Sequence, residues 1–224
     1  MTASRPDIIV FDVNETLLSL ASLQPGFAEV FGTADLMGEW FARMLHGSVV
    51  SNELGSYRPF GTIGVEALLM LARKHGVEVS RERAEAVVAG MRDLEPHPEV
   101  VDAIGVLRSA GFRTATLTNG STEAATAQLE HAGLTPLLDE SMTVDEVEKF
   151  KPAREVYVAA AKRFGVDISD MLMVAAHDWD IAGAAAAGCQ TAFVVRPGVL
   201  WSLPGEPPGL VVDDLDELTG ALRG

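Results

Sequence analysis

The sequence predicts an α/β fold in which a doubly wound parallel sheet forms the core and a helical cap domain is inserted after the first strand. Two observations support this prediction. Short apolar segments alternate with helical patterns from residue 98 onward, whereas residues 19–95 show helical periodicity with little strand signal. Alternating strands and helices form parallel sheets, because each helix returns the chain to the edge where it started. We expect residues 1–18 and 96–224 to form the core and residues 19–95 the cap domain.

The predicted strands are short apolar runs. Ile8-Ile9-Val10-Phe11 is apolar on both faces, as expected of a buried parallel strand, and it ends at Asp12. Four similar runs follow glycine, proline or polar segments, which are typical strand boundaries. They cover residues 114–117, 171–175, 191–195 and 210–212.

Helical periodicity fills most of the remaining chain. Ser80 is a candidate N-cap of the last helix of the insertion. Glu95-Pro96-His97-Pro98 is the predicted return linker, because two prolines break a helix and stiffen the chain. The helical patterns cover residues 36–45, 64–75 and 80–91 in the insertion, and 98–110, 122–132, 154–164 and 181–187 in the core.

The chain is acidic, with a formal net charge of −15 and a pI of about 4.6. Nucleic-acid binding depends on clustered Lys and Arg, so we expect no nucleic-acid partner. An anionic small substrate would have to be held by local N–H groups, Lys or Arg. No apolar stretch approaches the roughly 18 residues of a membrane span, so we expect a cytoplasmic protein without a membrane partner. The one cysteine, Cys189, is predicted to be small buried packing rather than a redox group.

Polar segments follow the predicted strands or precede a predicted helix. In an open parallel sheet, ligands bind beyond the carboxyl ends of the strands, so these segments are expected to meet at one edge of the sheet. They form the candidate site. The segments are Asp12-Val13-Asn14-Glu15-Thr16, Thr118-Asn119-Gly120, Lys151-Pro152 and His177-Asp178-Trp179-Asp180.

Four motifs in these segments resemble the ordered motifs of the haloacid dehalogenase superfamily. They are Phe-Asp-x-x-x-Thr-Leu at 11–17, Thr-Asn-Gly at 118–120, Lys-Pro at 151–152 and Asp-Ile-x-Gly-Ala-x-x-Ala-Gly at 180–188. Each motif alone is weak evidence, but the four occur in order and span nearly the whole chain outside the insertion. The resemblance implies a Rossmann-like core with an inserted cap.

The residue types suit the roles that the resemblance implies. A carboxylate such as Asp12 can attack carbon or phosphorus and form an ester intermediate, although an Asp after a strand can also simply cap a helix or turn. Lys151 can hold Asp12 ionised and neutralise an anion, unless it is a solvated surface lysine. Thr118 and Asn119 can donate to a carboxylate or phosphate, or cap the following helix. Thr16 is expected to bond the turn that aims Asp12.

Two positions argue against the phosphatases of the superfamily. Those enzymes resemble one another in a second Asp two residues after the nucleophile and an acidic magnesium ligand in the last motif. Here Asn14 stands at the first position and cannot transfer a proton as a carboxyl group does. Ala175 stands at the second, which removes a hard oxygen ligand, with Asp178 as a conceivable substitute. We therefore expect no metal and no cofactor.

The dehalogenase branch resembles this sequence more closely. Its members carry a Trp one residue before the last Asp and a Tyr six residues after the motif Lys, which match Trp179, Asp180, Tyr157 and Lys151. The resemblance implies that Asp12 displaces halide from C2 of an (S)-2-haloalkanoate with inversion, and that a water positioned by Asp180 hydrolyses the ester. Displacement of a halide needs no acid on the leaving group, so the absence of a second Asp is tolerable.

The resemblance implies a substrate pocket from which this chain departs at several positions. Val13, Asn14 and Thr118 would line it, although the branch usually has an aromatic residue at position 14 and two Ser where Ala175 and Ala176 stand. His177 occupies the place of an Asn, where it would line the pocket, help to activate water or be merely structural. Trp179 and Tyr157 complete this group of substrate-binding candidates.

The cap residue that receives the halide is less clear in the sequence. The branch has an Arg just after a Trp, but here Trp40 is followed by Phe41. Arg43 lies three residues after Trp40 on the same helical face, so it is either the halide-side cation or a solvated residue. Phe60 either matches an apolar residue that lines the substrate pocket in the dehalogenase branch or belongs to the core of the cap.

The sequence thus predicts a metal-independent hydrolase that acts on a small 2-haloacid. Two alternatives stay open: a magnesium-dependent phosphatase of small metabolites, and a non-catalytic member that binds a carboxylate or a partner protein. The branch commonly forms homodimers, so the resemblance also implies a possible homodimer.

Overall fold

A six-stranded parallel sheet lies at the centre of the computed structural model, which describes residues 5–204 and 207–223. The strand order is β3-β2-β1-β4-β5-β6, so the chain winds first to one side of β1 and then to the other. This doubly wound arrangement confirms the predicted fold class. The strands are β1 (Ile8–Phe11), β2 (Arg113–Thr118), β3 (Glu140–Thr143), β4 (Met171–Ala175), β5 (Gln190–Val194) and β6 (Leu210–Val212).

The first strand is the central strand of the sheet. All its residues are buried, and Phe11 pairs with Thr116 of β2 and Val174 of β4. The backbone N–H of Asp12 donates to Val174 O at 2.9 Å. The strand order reverses between β1 and β4, where open α/β sheets form their ligand crevice. Asp12 therefore lies at this switch point.

The described residues contain four α-helices between β1 and the return to the sheet, and five more that alternate with the later strands. Among these residues, no helix has the length and apolar character needed to cross a membrane. The helices are α1 (Gln24–Phe31), α2 (Met37–Leu54), α3 (Phe60–Lys74), α4 (Arg81–Ala89), α5 (Val100–Ser109), α6 (Thr122–His131), α7 (Arg154–Phe164), α8 (Asp178–Ala187) and α9 (Leu215–Arg223).

The helices of the insertion pack around Trp40. Its indole N–H donates to Gly64 O at 2.8 Å, and its ring lies 5.2 Å from that of Phe27. Helices α2 and α3 approach so closely that a Cβ on Gly47 would lie 2.7 Å from Ile63 Cγ2. The buried residues Trp40 and Phe27 belong to the same contiguous hydrophobic cluster as the strands of the sheet, so apolar packing continues from the insertion into the core.

The insertion leaves and returns through two paired linkers. Leu18 and Pro96 form an antiparallel bridge, Ser19 N donates to Glu95 O at 2.9 Å, and His97 N donates to Leu17 O at 2.9 Å. These bonds fix the spacing between the two crossing segments, because each segment satisfies backbone groups of the other.

The structure differs from the sequence expectations mainly at the edge of the sheet and in the number and length of the helices. Strand β3 was not expected, because an edge strand with polar residues lacks the apolar pattern of a central one. Helices α1 and α9 were also missed, and α2 continues to Leu54 through small and polar residues that mask its periodicity. The N-cap prediction is confirmed, since Ser80 Oγ accepts from Arg83 N at 3.1 Å. Cys189 is only partly buried, and burial raises the pKa of its thiol to about 12.

Helix α8 packs tightly against the loop that carries Lys151, and this contact can be tested at Gly183. A Cβ there would lie 2.5 Å from Pro152 Cβ and 2.9 Å from the Tyr157 hydroxyl. We expect Gly183→Ala to lower the free energy of unfolding by about 1–3 kcal/mol, as overpacking does. Urea unfolding followed by circular dichroism measures the change.

Gly105→Ala is the matched control. Gly105 lies inside α5, and a Cβ there would meet nothing within 4 Å. Alanine should therefore stabilise the protein by about 0.4–1 kcal/mol, because it restricts the unfolded chain. Equal changes in the free energy of unfolding for the two substitutions would contradict the close packing at Gly183.

Candidate active site

A buried lysine joins two buried carboxylates at the carboxyl edge of the sheet. Lys151 Nζ donates to Asp12 Oδ1 at 2.7 Å and to Asp180 Oδ2 at 2.6 Å. A third hydrogen bond goes to Leu117 O at 2.9 Å. An ammonium group has three donors, so every N–H of Lys151 is used within the protein. The solvated alternative for Lys151 is therefore wrong.

Burial and the two ion pairs shift the pKa values of all three groups. Burial tends to raise the pKa of Asp12, but the Lys151 cation and the His177 hydrogen bond outweigh it and lower that pKa. For Lys151, burial tends to lower the pKa, and the two carboxylates raise it overall. Burial raises the pKa of Asp180, and Lys151 offsets only part of this effect. Asp12 is thus held ionised, as a nucleophile requires.

The turn after β1 fixes the second oxygen of Asp12. Thr16 Oγ1 donates to Asp12 Oδ2 at 2.8 Å and accepts from Ala176 N at 2.9 Å. Arg196 Nη2 donates to Thr16 O at 2.7 Å, while Arg196 Nη1 pairs with Glu99 at 2.6 Å. Sequence analysis missed Arg196 and Glu99, because no local pattern indicates a pair 97 residues apart. These two residues anchor the turn that carries Asp12 and Thr16.

Asp180 has a second partner in Tyr157. The Tyr157 hydroxyl donates to Asp180 Oδ1 at 2.6 Å and lies 3.1 Å from the backbone oxygen of the same residue. Burial and the neighbouring Asp180 charge raise the pKa of Tyr157 well above its usual value, so this hydroxyl stays protonated. With Lys151 on the other oxygen, Asp180 is held in one orientation.

Asn119 presents a buried donor without a partner. Its Oδ1 accepts from Lys151 N at 2.9 Å, which turns Nδ2 to the other side. Among residues 5–204 and 207–223, Nδ2 has no hydrogen-bond partner although it is buried. Thr118 is also buried, and its Oγ1 accepts from Gly120 N at 3.1 Å. Ser121, rather than Thr118 or Asn119, caps helix α6.

His177 lies beside Asp12. Its Nδ1 is 3.1 Å from Asp12 Oδ2, and its ring stacks on Trp179 at a centroid distance of 5.0 Å. Phe41 of helix α2 lies 5.8 Å from the imidazole on centroids. Trp179 also lies near Lys151, with Nζ 6.0 Å from the ring centre. The structure thus brings His177 and Trp179 together with Asp12 and Lys151.

The two residues after Asp12 are held away from solvent. Val13 is fully buried. Asn14 Oδ1 accepts a hydrogen bond from Gln128 Nε2 at 2.9 Å. An amide in this position cannot act as the acid that superfamily phosphatases use.

The two candidate residues of the insertion occupy different environments. Arg43 is about half exposed and its Nε lies 3.8 Å from Glu39 Oε1. This pair favours the solvated alternative for Arg43 over a place beside Asp12. Phe60 is buried, packs on Phe150 and lines a cavity that also borders Asn14. Both readings of Phe60, as packing residue and as pocket residue, are compatible with this position.

The insertion also contacts the loop before Lys151, which sequence analysis did not foresee. Asn52 of helix α2 forms two hydrogen bonds with the backbone of Phe150, at 2.8 and 2.9 Å. Tyr57 donates to Asp145 and packs on Phe150. These contacts join residues about one hundred positions apart, and no spacing within the sequence reveals them.

The donor set does not fit a magnesium site. Ala175 offers no ligand, and the Asp178 carboxylate accepts from Trp179 N and Ser202 N. Lys151 already bonds one oxygen of each remaining carboxylate. In the described part of the chain, no group of three or more His, Cys, Asp and Glu side chains is arranged to hold a metal ion.

Removal of the Lys151 cation should leave two buried carboxylates uncompensated. We expect Lys151→Met to lower the free energy of unfolding by about 3–5 kcal/mol near neutral pH. Without the cation, the pKa values of both carboxyl groups rise above their values in the unfolded chain. The variant therefore loses most stability at a pH where both groups would be ionised in the unfolded chain. The deficit should therefore shrink as pH falls from about 7 to about 5. Chemical unfolding at several pH values measures it.

Lys74→Met is the control for loss of a lysine. Lys74 is half exposed and pairs with Glu39 at 2.7 Å, and exposed pairs contribute little to stability. A Lys151→Met protein as stable as the Lys74→Met protein would show that the buried ion pairs do not hold the site.

Comparisons with known proteins agree with this geometry. A family model for haloacid dehalogenase-like hydrolases matches residues 6–188. The chain is 32% identical over 189 residues to (S)-2-haloacid dehalogenase 1 of Pseudomonas sp. (strain CBS-3), covering 84% of this chain and 83% of that protein. It is 28% identical over 209 residues to the (S)-2-haloacid dehalogenase of Pseudomonas sp. (strain YL), covering 92% and 90%.

A solved structure extends the comparison to the fold. A dehalogenase crystallised with an intermediate complex superposes with a TM-score of 0.91 at 26% identity, covering 99% of both chains. The sequence matches and the fold thus agree over nearly the whole length. This chain belongs to the haloacid dehalogenase-like hydrolase family.

Proposed function

We propose that this protein is a metal-independent (S)-2-haloacid dehalogenase, which converts an (S)-2-haloalkanoate to the (R)-2-hydroxyalkanoate and halide. The observation that carries the proposal is the buried Asp12 carboxylate, kept ionised by Lys151 and oriented by Thr16. The dehalogenase names of the relatives support the same chemistry.

In the first step, a carboxylate oxygen of Asp12 attacks C2 of the substrate from the side opposite the halogen. The new C–O bond forms as the carbon–halogen bond breaks, and halide leaves with the bonding electrons. The product of this step is an ester of Asp12 with inverted configuration at C2. No proton is transferred, which suits a site where Asn14 replaces an acid.

The substrate carboxylate needs donors that the ion pairs have not already taken. Lys151 has none left, so its charge acts on the substrate only through space. Asn119 Nδ2 is buried and unpartnered among the described residues, and it is the donor that we assign to the substrate carboxylate. Val13, Asn14 and Thr118 would enclose the same end of the substrate, because they flank Asp12 and Asn119 in the two turns.

In the second step, water attacks Cγ of the Asp12 ester. We assign its orientation to Asp180, which Lys151 and Tyr157 hold in place. Asp180 accepts one proton of the water, the bond between Cγ and the substrate oxygen breaks, and that oxygen takes up the proton as the 2-hydroxyacid leaves. The second proton of the water is released to solvent, which restores the Asp12 carboxylate. His177 would help to orient the water, since its Nδ1 lies 3.1 Å from Asp12 Oδ2.

The proposal predicts halide release without added metal. EDTA-treated protein should release chloride from (S)-2-chloropropionate and form (R)-lactate, and Asp12→Asn should release none. Ion chromatography and chiral chromatography measure the two products. No chloride from the wild type, together with magnesium-activated hydrolysis of p-nitrophenyl phosphate, would instead assign the protein to the phosphatases.

A single-turnover experiment separates the ester route from direct attack by water. Excess enzyme in water enriched in the heavy oxygen isotope should place the label in the Asp12 carboxylate, because water attacks Cγ rather than C2. Mass spectrometry of the peptide that contains Asp12 measures this. Label in the lactate alone would contradict an ester intermediate.

We also propose that residues 19–95 act as the cap domain over the core and that two chains associate through α2. Val49, Val50 and Leu54 are exposed apolar residues of this helix, which is unusual for a surface without a partner. Light scattering should give the mass of a dimer for the wild type and of a monomer for Leu54→Asp. A monomeric wild type would exclude this assembly. The cytoplasmic location stays a prediction.

A further inference from the structure

A cavity of about 400 Å³ lies between the insertion and the core, beside the turn that carries Asp12. Such a volume falls within the range of about 300–1,000 Å³ that is typical of small-molecule pockets. The methyl group of 2-chloropropionate would leave most of this space unused. Residues on its wall include Asn14, Phe60, Val88, Met91, Gly120 and Gln128.

The side-chain amide of Gln128 is fixed in one orientation. Its Nε2 donates to Met91 O at 2.7 Å and to Asn14 Oδ1 at 2.9 Å. A backbone carbonyl can only accept, so the nitrogen must be the atom that faces Met91. The Oε1 atom therefore points away from both partners.

This Oε1 atom is a buried acceptor without a partner among the described residues. Gln128 is 1% exposed, and Oε1 lies 4.0 Å from the position that a Cβ on Gly120 would occupy. Gly120 lines the same cavity. Buried polar groups are normally hydrogen-bonded, so an unpaired acceptor on a residue that lines the cavity indicates a missing donor.

We propose that this cavity is a subsite for the far end of a longer 2-haloacid, and that Gln128 Oε1 accepts a hydrogen bond from a neutral hydroxyl or amide N–H there. The inference rests on the proposed function and specifies its substrate class. Phe60, Val88 and Met91 supply an apolar wall for the methylene groups between C2 and the donor.

The charges at the cavity favour a neutral donor over a cation. Arg81, Arg92 and Glu85 line it, and each arginine also pairs with a carboxylate outside the lining, at 2.8 Å to Glu66 and 2.9 Å to Glu123. The lining thus carries two positive charges against one negative charge, which disfavours an ammonium group nearby. A hydroxyl supplies the one donor that Oε1 lacks without adding charge.

The test compares kcat/KM for chloride release from (S)-2-chloropropionate, (S)-2-chlorohexanoate and (S)-2-chloro-6-hydroxyhexanoate. We expect both six-carbon acids to exceed chloropropionate, and the hydroxy acid to exceed chlorohexanoate by about tenfold, which corresponds to one hydrogen bond. Gln128→Met should bring the ratio between the two six-carbon acids to about one. Because both are measured on the same variant, general damage to the site affects them equally.

A second variant tests the cavity itself while keeping the amide. Ala124 lines the cavity, and Ala124→Leu should lower kcat/KM for both six-carbon acids relative to chloropropionate. If wild type releases chloride from chloropropionate but shows no preference for the hydroxy acid, the subsite is overturned and the proposed function stands. Absence of chloride from all three acids overturns the proposed function and this inference with it.

Discussion

The structure of the site depends on one interaction, the bonding of the buried Lys151 ammonium group to Asp12 and Asp180. An ion buried in a protein is tolerated only when its partners offset the loss of hydration, and here all three N–H groups are satisfied. The three residues come from the ends of different elements: β1, the loop before α7, and α8. Their ion pairs therefore fix those elements relative to one another, and they also hold Asp12 ionised.

The turn after β1 carries local strain that distant residues maintain. Glu15 has a φ of 61°, an uncommon conformation for a residue with a side chain. Its carboxylate accepts from Leu20 N at 2.6 Å, and His97 lies against its backbone oxygen. Arg196 bonds the carbonyl of Thr16 one residue later. Strain in this turn is thus balanced by contacts to the linkers and to the segment after β5, which aim the carboxylate of Asp12.

Sequence reasoning identified Asp12 and Asp180 after strand ends, because an apolar run and its polar end are local patterns. Lys151 was found before a predicted helix, in a motif of the family resemblance, and the structure places it in contact with both carboxylates. Sequence reasoning could not find Arg196, Asn52 or Gln128, whose partners lie about one hundred or more residues away. The same limit explains the missed strand β3, since its polar residues are stabilised by the neighbouring strand rather than by their own pattern. The two alternatives for Arg43 stayed open because spacing on a helix does not reveal its neighbour Glu39.

An anionic substrate meets a site in which two carboxylates share one cation, within a protein of net charge −15. Binding must therefore rely on neutral donors and acceptors more than on net attraction. Among the described residues, two buried side-chain atoms have no hydrogen-bond partner, Asn119 Nδ2 and Gln128 Oε1. One is a donor of the residue that binds the backbone of Lys151, and the other is an acceptor of a residue that lines the cavity beside Asn14. Their opposite polarities suit the two ends of the proposed substrate, because a carboxylate needs a donor and a hydroxyl needs an acceptor.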